Sequence, residues 1–222
     1  MAIPSFEEFK ALAGQGNLIP VYEEIHFDWE TPISAYRKID DGRFSFLLES
    51  VEGGEKWGRY TFLGSGPSHI FRSQGDEFEI LKSGKVLQKG RNKDPLRALE
   101  GFLGSFRAAP HDSLPRFFGG AVGYASYDAV RSFEKIPAVL APDRTLYDCY
   151  FMITDTLLVF DNVKQSIRVI ANVLLEDGQT PEVSYRQAQG KIEHIIEKLR
   201  TPLSPPSREK KPPSPVSVRS NL

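Results

Sequence analysis

The sequence predicts an α+β fold: antiparallel β-sheets packed in a sandwich, with helices on the outside. Two patterns carry this expectation. From Arg43 to Lys89, and again from Leu146 to Leu174, apolar residues alternate with polar ones or run in short blocks broken by Gly, Ser and Pro, as in short strands. Near the start, in the middle and at the end of the chain, apolar residues recur instead at spacings of three and four. That is the stripe of a helix lying on a sheet.

Taken in order, Ser5–Ala13 is a helix with Phe6, Phe9, Leu12 and Ala13 on one side, Ser5 as cap and Glu8 completing a capping box. Leu18–Phe27 is a strand. Thr31–Ile39 is a helix, with Thr31 as cap and Pro32 at its first position. Between residues 43 and 89, FSFLLES, RYTFLGS, HIFRSQ, FEILKS and KVLQKG form an antiparallel sheet, with hairpin turns at Gly75-Asp76 and Ser83-Gly84. Asp94–Arg107 is a helix with Leu96, Leu99, Phe102, Leu103 and Phe106 in one stripe. Phe117–Tyr124 is a strand whose glycines, 119, 120 and 123, signal a bulge or a close backbone approach. Strands follow at Leu146–Ile153, Thr156–Phe160 and Ser166–Leu174, with a turn at Asp161-Asn162. Pro181–Leu199 closes the fold as a helix with Ala188, Ile192, Ile195, Ile196 and Leu199 on one face.

Residues 201–222 hold six prolines and no aromatic residue. This composition marks a linker with little to bury, so the expected division is a folded unit over 1–200 and a Pro-rich linker over 201–222. The net charge is -1, which argues against nucleic acid or a membrane surface as the main partner. No apolar run approaches the length of about 20 residues that spans a bilayer, and the glutamates of MAIPSFEEFK do not suit a secretory signal. A cytoplasmic protein is expected. Cys149, in an apolar strand pattern, reads as a buried packing thiol. The four histidines show no metal-ligand spacing, and Asp128, Arg131 and Glu134 read as a salt-bridge ladder on a helix.

A search for a nucleophile with its base, paired carboxylates, a phosphate cradle or a metal set finds none. The expected catalytic set is empty, and so is the metal set. The informative segment is FSFLLESVEGGEKWGRYTFLGSGP, residues 44–67. Two strands flank a polar connection, and the apolar run ends in Glu49 and Ser50, with Arg59 opening the return strand. An acid, a hydroxyl and a guanidinium beside apolar walls can hold a zwitterion, the acid taking an ammonium and the guanidinium a carboxylate. The simpler alternative is a Glu–Arg pair closing a hairpin.

The run LLESVEGGEKWGRYTFLG resembles the opening signature of anthranilate synthase component I. FFGGAVGYASYDAVRSFE resembles a second signature of that family's N-terminal half. NLIPVYEEIHFDWETPISAYRKI also fits, and VSVRSNL resembles the entry to the catalytic domain. The resemblance implies the N-terminal, tryptophan-feedback domain of an enzyme that makes anthranilate from chorismate and ammonia with Mg²⁺, early in tryptophan biosynthesis. It places the chorismate and magnesium ligands in a C-terminal catalytic domain outside this chain, so the chain alone is expected to be inactive. It implies as partners L-tryptophan, that catalytic domain and a glutamine amidotransferase subunit. Glu49 and Ser50 map onto the family's tryptophan pocket, and Arg59 maps to a basic residue near it. Two alternatives remain: the corresponding domain of aminodeoxychorismate synthase component I, and a free-standing small-molecule-binding module.

Overall fold

The computed structural model of the chain describes residues 1–26, 30–49, 58–136, 146–175 and 178–203. The chain forms two five-stranded sheets in which every pairing is antiparallel. The first contains β1 (Leu18–Ile25), β2 (Ser45–Leu48), β3 (Tyr60–Ser65), β9 (Thr156–Asp161) and β10 (Ser166–Leu174), in the order β1-β10-β9-β3-β2. The second contains β4 (His69–Gln74), β5 (Glu77–Lys82), β6 (Lys85–Arg91), β7 (Gly120–Ala125) and β8 (Cys149–Thr154), in the order β6-β5-β4-β8-β7.

The helices form where their caps predict them. Ser5 and Glu8 close a capping box on α1 (Phe6–Leu12), and Thr31 with Ser34 does the same for α2 (Pro32–Ile39). Asp94 accepts from the amides of Leu96 and Arg97 to start α3 (Pro95–Leu103), and Thr180 caps α4 (Pro181–Arg200). These side chains satisfy amides that the first turn leaves without partners.

Helices α1, α2 and α4 cover one face of the first sheet, where Phe9, Val21, Ile39, Leu158, Val169 and Ile192 share a buried cluster. The opposite face carries Tyr22, Leu157, Val159 and Ile170, packed under Leu114, Phe117 and Phe118. Covered on both sides, β10 is buried for eight consecutive residues, the pattern of a central strand with no solvent face. A third cluster joins the second sheet to α3 through Phe71, Ile80 and Leu99. Cys149 is buried there as a packing thiol.

Four local expectations are corrected. The strands between residues 43 and 89 do not form one sheet. After Gly66, at φ 64°, the chain leaves the first sheet, so β3 pairs with β9 and β4 pairs with β8. The helix α3 stops at Leu103, capped at Gly104, and Arg107 instead offers its carbonyl to the amides of Asn17 and Leu18. Strand β7 begins only at Gly120, because Phe117 and Phe118 turn away into the core of the first sheet. The Asp128 segment is a 3₁₀ helix, Tyr127–Ser132, that ends before Glu134, so the ladder reduces to an Asp128–Arg131 pair at 2.9 Å. Of the expected linker, residues 204–222 lie outside the described residues. No helix among the described residues is long and apolar enough to cross a membrane.

Two glycines give opposite expectations. A Cβ at Gly123 would sit 2.0 Å from the carbonyl oxygen of Tyr150, which is backbone and cannot swing aside. Gly123→Ala should therefore lower unfolding stability by about 1–3 kcal/mol, as overpacking does. Gly190, inside α4, meets nothing within 4 Å, so Gly190→Ala should raise it by about 0.5–1 kcal/mol through helix propensity. Urea denaturation measures both. A stable Gly123→Ala would show that β7 does not lie against β8 as closely as described.

Candidate functional site

The expected site lies at one end of the first sheet, where β2 ends, β3 begins and β9 turns into β10. The β2–β3 register runs from Ser45↔Ser65 to Leu48↔Phe62. Carried one residue further, it sets Glu49 opposite Thr61, on the face of Leu47 and Leu63. Glu49 is exposed, and no hydrogen bond or ion pair joins it to Arg59. Ser50 lies outside the described residues, so no position is assigned to it.

Arg59 is engaged elsewhere. Its Nε and Nη2 donate to the two carboxylate oxygens of Asp161 at 3.0 and 2.7 Å, a bidentate fork. The guanidinium also lies 4.9 Å over the Tyr60 ring. The β9–β10 turn holds the same segment: the amide of Asn162 donates to the Arg59 carbonyl at 2.8 Å, and its side-chain amide donates to the Gly58 carbonyl at 3.1 Å. Arg59 is thus joined to Asp161, and neither the Glu49–Arg59 hairpin pair nor an unoccupied guanidinium is present.

Asp161 is 1% exposed. Burial alone would push its carboxyl up, but the Arg59 fork and the amides of Lys164 and Val163 outweigh it and hold the group below its ordinary value. A second buried link, Arg168 to Glu24 at 2.7 Å, braces β10 against β1, and Arg168 also donates to the Ser113 carbonyl. Next to the fork, Tyr60 and Phe62 stand with Phe117, which meets Phe62 edge-on at 5.3 Å. This end of the sheet therefore offers an exposed carboxylate on one face and an aromatic wall with a fixed cation on the other.

A sizeable cavity lies elsewhere. It measures about 510 Å³ and opens where β10 ends and β9 begins, between α4 and the end of the second sheet. The six residues of β9 separate it from the Arg59–Asp161 fork, roughly 17 Å at the rise of a strand. Phe106, Phe118 and Ile153 give it apolar walls, and Asn172, Asp155 and Lys191 bring polar groups. Lys191 pairs with Asp155 at 2.7 Å. Asn172 donates to the Phe118 carbonyl at 2.7 Å, while its Oδ1 is buried with no partner among the described residues. The volume suits a small organic group. The sequence reading missed this cavity, although an asparagine inside the apolar run SIRVIANVL was a signal, because buried amides need partners. Neither Glu49 nor Arg59 lines this cavity.

Mg²⁺ takes carboxylate oxygens, water and substrate oxygens. Among the described residues no group of three or more His, Cys, Asp or Glu gathers in a way that could hold an ion. The residues described do not fit the implied magnesium site, and no step is derived through it.

Comparison with known proteins adds what the geometry lacks. A sequence model of the chorismate binding enzyme family matches residues 45–221. The chain is 41% identical over 173 residues to anthranilate synthase component 1 of Acetivibrio thermocellus, covering 78% of this chain and 35% of that protein. It is 38% identical over 197 residues to the Aquifex aeolicus protein of the same name, covering 88% and 39%. Among solved structures it is similar to anthranilate synthase component I from Streptococcus pneumoniae TIGR4, with a TM-score of 0.51 and 26% identity, over 81% of this chain and 37% of that one. The chain thus spans well under half the length of these relatives. The family match corrects one expectation: the chorismate-binding region was placed wholly outside this chain, yet the match occupies 45–221.

The fork gives a direct expectation. Asp161→Ala removes the acceptor for Arg59, Val163 and Lys164 and should destabilise the fold by about 1–3 kcal/mol, the exposure of Arg59 keeping the loss moderate. Because the folded pKa of Asp161 is depressed, its contribution is present above its ordinary value of 3.8 and is lost as the pH falls through the lower folded value. Acid unfolding of the parent chain should therefore be steeper below that pH than that of Asp161→Ala. Equal slopes would mean the fork contributes nothing.

Proposed function

The chain belongs to the chorismate binding enzyme family, and from that premise we propose that it is the tryptophan-sensing part of an anthranilate synthase component 1. The reading takes its reaction from the family resemblance of the LLES run: chorismate and ammonia or glutamine give anthranilate, with a glutamine amidotransferase component as partner and the cytoplasm as setting. The observation that carries the sensing role is Glu49. Its carboxylate ends the LLES run exposed, with no hydrogen-bond or ion-pair partner among the described residues, on the apolar face of Leu47 and Leu63. An amino-acid effector needs a partner for its ammonium, because a buried unpaired charge is costly, and Glu49 is a carboxylate not already committed. Ser50 follows it in sequence and supplies a hydroxyl. Arg59, held by Asp161 on the opposite face of the sheet, anchors the start of β3 and so the end of the hairpin that carries Glu49.

Catalysis on this reading requires polypeptide beyond this chain. The described residues gather no metal set, and the search of the sequence finds no nucleophile–base pair. Incubated with chorismate, ammonium and Mg²⁺, the 222-residue chain should give no anthranilate fluorescence above a protein-free control. Sustained turnover would overturn the division of labour.

The sensing role is tested in an intact enzyme that contains this chain, by the ratio of activity with tryptophan to activity without it. Glu49→Ala should remove a charge-assisted bond worth about 1.5–3 kcal/mol, and so weaken inhibition roughly ten- to a hundredfold. Ser50→Phe should relieve inhibition by filling the site. Wild-type inhibition in both variants would sink the assignment.

A further inference from the structure

A β-sheet ends in two edges whose unpaired amides and carbonyls template further strands unless something blocks them. Of the four edges here, three are protected. Along β1, Ile3 exchanges two hydrogen bonds with Tyr22, and Arg107 and Ala109 bond to the Leu18 end. Strand β6 carries Lys85, Lys89 and Arg91, the charges that discourage pairing. Strand β2 is four residues long.

The fourth edge, β7, has none of these defences. Its six residues, GAVGYA, carry no charge, and no strand lies beyond it in its sheet among the described residues. The amide of Ser126 donates to the carbonyl of Asp148 at 2.6 Å, in register with the β7–β8 ladder. Antiparallel pairing alternates, so Gly120, Val122 and Tyr124 face β8 while Ala121, Gly123 and Ala125 turn their N–H and C=O groups outward. Those three residues have the smallest side chains in the alphabet, and another backbone can approach them closely. Beside them Tyr124 is 46% exposed, Tyr127 91% and Phe133 53%. Tyr124 is also the outer member of a stack, lying 6.4 Å from Tyr150, which in turn lies 6.2 Å from Phe44. Exposed tyrosines beside an open edge are the composition of an interface centre.

We propose that β7 is a docking edge on which an extended segment of the polypeptide completing the family's length adds as a sixth strand of the second sheet. The length argument selects this occupant: the matches cover 35–39% of the relatives, so more than half of each relative lies outside the part this chain resembles. Main-chain bonds to Ala121, Gly123 and Ala125 hold such a strand, and an aromatic or β-branched side chain on it extends the Tyr124–Tyr150–Phe44 stack. The docking rests on the proposal that the chain works within a longer enzyme of its family. It does not depend on tryptophan, so a failed tryptophan titration leaves it standing.

The test compares amide exchange in the 222-residue chain with that in the same chain continued by the rest of the Aquifex aeolicus relative. In the extended polypeptide the amides of Ala121, Gly123 and Ala125 should exchange at least tenfold more slowly, while β6 stays unchanged. Ala125→Pro removes one outward N–H without touching the bonds to β8, and it should restore fast exchange at Ala121 and Gly123 only in the extended polypeptide. Equal β7 exchange in the two lengths overturns the docking. Slow β7 exchange in the shorter chain overturns the chosen occupant: with a dimer's mass by light scattering it assigns the edge to a second copy, and with a monomer's mass to the chain itself.

Discussion

Much of this structure depends on the two-sided burial of the β9–β10 hairpin. These strands sit at the centre of the first sheet, and β10 has no solvent face. Such strands must be roofed on both sides, since their apolar area contributes stability only when removed from water. Helices α1, α2 and α4 roof one face, and Leu114, Phe117 and Phe118 roof the other. The arrangement fixes both ends of the sheet. At one end the β9–β10 turn holds Arg59 through Asp161; at the other, the last residues of β10 and the N-terminal half of α4 leave a cavity.

The two ends differ in chemistry. At the Asp161 end Arg59, Asp161 and Asn162 have partners, the buried hydroxyls of Thr61 and Ser166 have none among the described residues, and Glu49 stands apart as an exposed acid. At the cavity end Asn172 and Thr154 keep buried oxygens without partners among the described residues, an arrangement that costs free energy unless something else supplies the bonds. The proposed sensing residues lie at the first end, in the LLES run. The open space belongs to the second, and the length of β9 separates them.

The sheet edges divide in a similar way. Surface placed to meet water carries lysines and arginines, as β6 does, whereas β7 is neutral and bordered by tyrosines. In a chain that spans well under half of its relatives, an undefended edge fits a fold whose second sheet is finished by other polypeptide.

By itself the sequence determined what local rules decide. The capping box at Ser5, the Thr31 and Asp94 caps, the hairpins at Gly75 and Ser83 and the stripe of α4 all stand where their residues place them, because these depend on neighbours within a few positions. The α+β class was legible for the same reason, and the family through its short runs of residues. What only the tertiary structure decided was non-local. Alternation shows that a strand has two faces but not which strand lies beside it, so the division of residues 43–89 between two sheets was invisible. The role of Asp161 was likewise hidden: as the first residue of a turn it looked local, yet it is separated from Arg59 by 102 positions. The fate of Arg59 was settled by that contact, since a guanidinium takes the carboxylate the fold brings nearest, and sequence spacing does not measure distance in space.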